Sequence, residues 1–158
     1  MTIVLSERTE ETVRIYFEQS KQSFIKKNLP QKAKSVEEAL DDYRRSLLPG
    51  ATSFGRTIEA DGKYVGDVWC YCIDNDGDPN AMLSFCVFDM ASLNKGIATS
   101  AVELFLNEVQ RKYEISSIGA FTFADNLASR KVLEKCGFVL VEEFVEDGRE
   151  SRYYQYTF

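Results

Sequence analysis

From Phe54 to Asp89 three runs rich in β-branched and aromatic residues follow one another: FGRTIEA, KYVGDVWCYCI and AMLSFCVFD. Only the turn pair Asp61–Gly62 and the polar stretch DNDGDPN separate them. Extended runs with such tight breaks predict an antiparallel meander of three strands. Beyond it the rhythm changes. Ala98, Val102, Phe105, Leu106 and Val109 recur at helical spacing between Ile97 and Tyr113, then come the strand IGAFTF and a helix opened by Asn126. The strands VLVEEFV and RYYQYTF close the chain around the turn Asp147–Gly148. Helices placed between extended runs imply crossover connections and some parallel pairing, so the expected class is α/β with a mixed sheet.

Ahead of the meander, a short apolar start (Ile3, Val4, Leu5) gives way to Val13, Tyr16, Phe17, Ser20 and Phe24 at helical spacing from about Glu10 to Lys27. A second helix begins at the capping box Ser35-x-x-Glu38, carries Val36, Leu40, Tyr43 and Leu47, and stops at Pro49–Gly50. The expectation is therefore two helices before any strand. With neither a repeat nor a linker, 158 residues read as one domain spanning 1–158. The loop Asp74 to Asn80 resembles the start of a calcium-binding EF-hand. Pro79 stands where that loop needs glycine and Phe85 where it needs a bidentate Glu, so a hairpin loop without calcium is expected.

The chain has no histidine, which excludes Ser-His-Asp and Cys-His catalysis and removes the commonest metal ligand. Cys70, Cys72, Cys86 and Cys136 lack paired C-x-x-C spacing and are expected to be buried free thiols, not a zinc or disulfide framework. Nineteen Lys plus Arg against 25 Asp plus Glu give a net charge of -6, a field that repels nucleic acid and suits a cationic or amine-bearing partner. The N-terminal segment has no signal-peptide pattern, and no stretch approaches the ~20 apolar residues of a membrane span. A cytoplasmic protein with neither nucleic-acid nor membrane partners is expected.

Two segments carry chemistry. In Phe85 to Ala101, FCVFDMASLNKGIATSA, a strand ends, a loop follows, and Gly96 opens a long helix. The first N–H groups of a helix have no internal partner and carry the positive end of its dipole, which suits a pyrophosphate. Gly96 lets the backbone approach closely, Ala98 keeps the first turn slim and Lys95 adds charge. The spacing is neither that of a P-loop nor of a dinucleotide fingerprint, and a glycine before a helix also serves any loop that needs a permissive backbone. The second segment, TFADNLASRKVLEKCGF, joins Asn126-x-x-Ser129 to Lys135-Cys136-Gly137-Phe138 before another strand.

Together these segments resemble the two signature blocks of the GNAT acetyltransferases, and the run Gly96-Ile97-Ala98-Thr99 resembles the G-I-[GA]-T-x-A of the RimJ/RimL-like branch. The resemblance covers roughly residues 54 to 158. It implies the GNAT acyl-CoA N-acyltransferase fold, in which an N-terminal meander leads to a splayed parallel strand pair with flanking helices. It also implies acetyl-CoA as co-substrate and direct transfer to a primary amine, on a protein N-terminus or a small molecule. By carry-over, the backbone of Val87 and Phe88 would pair with the pantetheine arm, and Asn94, Lys95, Gly96, Ile97, Ala98 and Thr99 would hold the pyrophosphate. Asn126 would approach the pantetheine region and also serve as a helix N-cap.

Many relatives place a proton-donating tyrosine where this chain has Leu133. In the RimJ/RimL-like branch the serine of Asn-x-x-Ser takes that role, which makes Ser129 the catalytic candidate, with first-turn capping as its other reading. A carboxylate base is not evident. Asp67, Glu142, Glu143 and Glu146 read as surface charges unless alternation turns one inward. Trp69, Tyr71, Tyr153, Tyr154 and Tyr156 fit either a core or an acceptor pocket between the N-terminal helices and the C-terminal strands. Arg130 and Lys131 fit either an exposed face or the CoA ribose phosphate. Leu93 replaces the family's usual Gln or Arg. With Leu133 and the acid-free strand LSFCVF it keeps a second reading open, a non-catalytic acyl-CoA-binding module of the same fold. The resemblance leaves a homodimer open.

Overall fold

The computed structural model describes residues 1–77 and 79–158; Asp78, in the expected hairpin loop, lies outside the described residues. The strands are β1 (Ile3–Glu7), β2 (Phe54–Ala60), β3 (Lys63–Asp74), β4 (Asn80–Val87), β5 (Ser117–Phe123), β6 (Val139–Glu146) and β7 (Arg149–Thr157). The helices are α1 (Glu10–Gln19), α2 (Ser23–Lys26), α3 (Val36–Ser46), α4 (Ile97–Lys112) and α5 (Leu127–Lys135). One seven-stranded sheet runs in the order β1-β2-β3-β4-β5-β7-β6, antiparallel throughout except for the parallel pair β4–β5. This is the mixed α/β architecture expected from the sequence, with the meander at β2–β3–β4 and the crossover through α4.

The start of the chain differs from expectation. Ile3–Glu7 is not a prelude to helices but an edge strand, paired antiparallel with β2 from Ile3↔Ala60 to Glu7↔Arg56. Five residues carry too short a period to declare themselves, and the partner that makes them a strand lies about fifty positions away. The expected first helix is also two pieces. Gln22 leaves the helical region at ψ 138°, so α1 ends before it and α2 restarts after it. Thr9 and Thr12 form a reciprocal capping box at the start of α1, and the Ser35 hydroxyl accepts the Glu38 N–H at the start of α3.

Strand alternation assigns the two sheet faces. Ala81 and Leu83 of β4 join the main core with Val68 and Cys70 of β3 and with Val102, Phe105 and Val109 of α4, where Phe54 stacks on Phe105 at 5.5 Å. Val132 and Leu133 bring α5 to the same face. Cys86 and Phe88, of opposite parity, form a second cluster with Ile25, Tyr16, Phe24, Leu29, Tyr64 and Trp69, so α1 and α2 cover the other face. A Cβ at Gly66 would collide with the Cys86 carbonyl, so glycine there lets β3 close onto the end of β4. Cys70, Cys86 and Cys136 are buried free thiols as expected; Cys72 is instead exposed, at φ 51° where the β3–β4 register shifts.

Candidate active site

The parallel pair carries the site because it fails to stay paired. β4 and β5 are in register only at Asn80↔Ser117, Ala81↔Ile118 and Met82↔Gly119, yet they run on to Val87 and Phe123. A cleft of ≈ 490 Å³ fills the opening and passes from the α4/α5 face of the sheet to the α2 face. Strand backbone without a neighbour must find a hydrogen-bonding partner elsewhere, and here the partner can be a ligand. Val87 lines this cleft. Phe88 does not: its N–H donates to the Val65 carbonyl at 2.9 Å and its carbonyl accepts from the Gln22 amide at 3.1 Å. The N–H and the carbonyl of Phe88, expected to face the cofactor arm, each have a partner within the fold.

Leu93 to Thr99 line one end of the cleft. Asn94 and Gly96 both sit in the left-handed region, at φ 60° and 77°. Gly96 is the N-cap of α4 and supplies no side-chain cap, and the first helical bond is Ser100 N–H to the Gly96 carbonyl at 3.2 Å. The N–H groups of Ile97, Ala98 and Thr99 are thus the open donors of a 16-residue helix, at the positive end of its dipole. A Cβ built on Gly96 meets nothing within 4 Å, so the space before the helix is open to a ligand. These features fit a pyrophosphate. Asp89 anchors the loop below, bonded by the Ser92 hydroxyl and by Lys63 at 3.2 Å, and these contacts, Ser92 first, hold its carboxyl below the usual range. Cys136 at the end of α5 donates its thiol to the Thr99 carbonyl at 3.5 Å, joining the two sequence blocks in space.

Asn126 caps α5. Its Oδ1 accepts the Ser129 N–H at 3.3 Å while its Nδ2 donates to Ser129 Oγ at 2.9 Å. The cap is therefore Asn126, and the Ser129 hydroxyl accepts a bond that leaves its own hydrogen free to donate. Both residues line the cleft beside the gap between β4 and β5. Leu133 is 1% exposed and forms part of the apolar wall where many relatives would have tyrosine.

The remaining candidates separate. Tyr154 is buried and its hydroxyl accepts from Arg130 Nε at 3.1 Å; Arg130 also holds the Ala124 carbonyl at 2.9 Å, so both are structural. Tyr156 packs between Phe138 and Phe158. Tyr153 lies on Gly119 and against Phe121 at 4.9 Å, and Trp69 meets Tyr16 at 5.9 Å on the α1 face. Lys131 lines the cleft.

Glu142, Glu143 and Glu146 are exposed on β6, but Asp67 is not the surface charge expected: it is 3% exposed. Its carboxylate pairs with Arg8 Nε at 3.3 Å and accepts the Tyr64 hydroxyl at 2.6 Å. Burial raises its pKa against the opposing pull of Arg8 and Tyr64, and it does not line the cleft. The sequence also left out one wall of the site, Phe24, Ile25, Asn28 and Leu29, because a four-residue helix carries no period to read. Among the described residues the charged groups lining the cleft are Lys95, Lys131 and Lys135, and no Asp or Glu is among them.

Known proteins match this architecture. The solved structure of an aminoglycoside acetyltransferase, AAC(6')-Ib, in complex with coenzyme A superposes with a TM-score of 0.81 at 18% identity, covering 99% of this chain and 95% of that one. Spermidine N-acetyltransferase from Vibrio cholerae, in complex with CoA and spermine, gives 0.86 at 15% identity over 98% and 95%. The ribosomal L7/L12 alpha-N-protein acetyltransferase RimL, in complex with coenzyme A, gives 0.82 at 17% identity over 99% and 94%. No curated protein matches the chain in sequence. Residues 4–139 match the family described as the acetyltransferase (GNAT) domain. The chain therefore belongs to the GNAT acetyltransferases, and is an acyltransferase enzyme with acetyl-CoA as its co-substrate.

Proposed function

We propose that this protein is a RimJ/RimL-like N-acetyltransferase that moves the acetyl group of acetyl-CoA directly to a weakly basic primary amine, the α-amine of a polypeptide N-terminus. Residues 1–158 act as one domain, in the cytoplasm, where unpaired thiols such as the buried Cys70, Cys86 and Cys136 are the norm. The observation that carries the reading is the absence of any carboxylate from the cleft lining among the described residues. An alkylamine with a pKa of about 10.4 costs about 4 to 5 kcal/mol to deprotonate at pH 7, whereas an α-amine of about 7.7–8.0 costs only about 1 to 1.5. A site with no base to remove the proton and no anion to attract an ammonium suits the second kind. Of the three solved relatives, the one described as acting on a protein α-amine is the fitting analogue.

In this reading Ile97, Ala98 and Thr99 N–H groups hold the pyrophosphate and Lys95, Lys131 and Lys135 neutralise it. Val87 meets the pantetheine arm in the β4–β5 gap. The neutral amine attacks the thioester carbonyl, the carbon–sulfur bond breaks, and Ser129 donates its proton to the departing thiolate and regains one from the nitrogen, which sheds it as the amide forms, while Asn126 holds the hydroxyl in place. Thermal unfolding with acetyl-CoA at about 100 times its Kd should show about 2.7 kcal/mol of added stability. A Ser-initiated peptide should then be acetylated on its α-amine with kcat/KM well above that for spermidine or an aminoglycoside. A preference for either polyamine overturns the α-amine assignment.

A further inference from the structure

Residues 19–36 hold five of the chain's 19 basic residues, Lys21, Lys26, Lys27, Lys32 and Lys34, and none of its 25 acidic ones. All five are exposed, and among the described residues only Lys21 is in an ion pair, with Glu18 at 3.1 Å. In a chain of net charge -6 this is a local reversal of sign. Its place in the fold matters more than its existence, because the same segment contains α2 and the turn after it, which supply Phe24, Ile25, Asn28 and Leu29 to the wall of the cleft.

Two points of the segment, at Lys27–Asn28 and at Lys32, are tied to strands on opposite sides of the β4–β5 gap. Arg149, the first residue of β7, bonds the Lys27 carbonyl at 2.6 Å and Asn28 Oδ1 at 3.0 Å, and lies over the Phe123 ring at 3.6 Å. The Lys32 ammonium stands over the Tyr71 ring of β3 at 4.9 Å. Between β3 and β7 lie three strand intervals, about 14 Å at the spacing of paired strands and more where β4 and β5 part around the cleft. A polypeptide lying across that mouth would cover it with at least about four extended residues at about 3.4 Å apiece. Glu146, Asp147 and Glu150 are exposed at the β6–β7 turn, outside the cleft lining, and exposed Asp125 is paired with Arg149 at 3.0 Å.

Building on the α-amine reading above, we infer that the preferred acceptor is an acidic N-terminus, a peptide with carboxylates within the first few residues after its amine. The lysines do not touch the reacting atoms; they hold the following residues of the substrate so that its amine rests in the gap. Their contribution is long-range and screenable, and it appears mainly in KM.

The test uses two peptides that share a first serine, one continuing with three acidic residues and one with three arginines, which add no second acceptor amine. The acidic peptide should have the higher kcat/KM by about tenfold at low salt, from several exposed charge pairs acting together, and the ratio should shrink toward unity in 0.5 M salt. Lys26→Glu with Lys27→Glu should reverse the preference while the Tm rise caused by CoA stays as in the wild type. Lys32→Gln with Lys34→Gln should weaken the preference without reversing it. Equal rates on both peptides, or a preference for arginine, overturns the acidic-acceptor inference and leaves the α-amine reading standing. A lost CoA response in the Lys26/Lys27 variant overturns it too, by assigning those lysines to the cofactor. If neither peptide is acetylated while CoA still raises Tm, the α-amine reading and this inference fall together.

Discussion

At Gly96 the backbone stands at φ 77° with open space where a side chain would be, so two separate effects of substitution can be told apart. A left-handed non-glycine residue costs about 1–2 kcal/mol, least for Asn and Asp. Gly96→Asn carries the residue best suited to that conformation and should keep both the fold and part of the CoA response. Gly96→Glu should unfold only slightly earlier yet lose the Tm rise with acetyl-CoA entirely, because its carboxylate occupies the place and repels the charge of the phosphates. Ser129→Ala should lower kcat by about 10²-fold with little change in KM, as for a lost general acid. The helix should remain, since Asn126 provides its cap through the Ser129 N–H, which alanine retains. Asn126→Ala should instead cost about 1 kcal/mol of stability as well as activity, a difference that thermal melts alongside kinetics will show.

Between elements, three ties decide the shape of the site. The Cys136 thiol joins α5 to the first turn of α4, which brings the KCGF turn and the loop before α4, far apart in sequence, to one cleft. Arg149 joins β7 to the end of α2 and pairs with Asp125 beyond β5 at 3.0 Å. Arg149→Ala should raise KM for the amine several-fold, because α2 loses its anchor, while the CoA response measured by melting stays intact. The third tie, Arg8 with Asp67 and Tyr64, spans β1 to β3 beneath α1. Asp67→Ala should cost about 2 kcal/mol by leaving Arg8 and the Tyr64 hydroxyl without their acceptor, with denaturant midpoints as the measure. Since burial raises the Asp67 carboxyl in the folded state, the folded chain binds that proton more tightly than the unfolded one. This group's contribution to stability therefore falls as pH rises above the ordinary carboxylate value of about 3.9.

For the molecule as a whole, a cleft with no carboxylate among the described residues predicts a pH profile set by the substrate. With a peptide acceptor, log kcat/KM should climb with slope near one up to the α-amine pKa of about 7.7–8.0 and then level, without an acid limb from the enzyme. An additional inflection near pH 5 or 6, seen with several acceptors, would reveal an enzyme base and contradict the proposed mechanism. The meander, the crossover through α4 and the loop-to-helix junction at Gly96 were legible in the residues, because strand alternation, helical period and a glycine before a helix are local patterns. So was Asn126 as a cap, for the same reason. Phe88 could not be judged from the residues: whether its backbone is free depends on Val65 of β3 and on Gln22 at the start of α2. The burial of Asp67 depends on Arg8, the edge strand β1 on β2, and the α2 wall on Arg149 more than a hundred positions away. The sequence by itself determined the meander, the long helices and the glycine that opens α4, since these follow from neighbours within a turn or a pleat. Only the tertiary structure decided where the sheet opens, what lines the opening and which charges face it, because those depend on which distant segments are left without a partner when the chain packs.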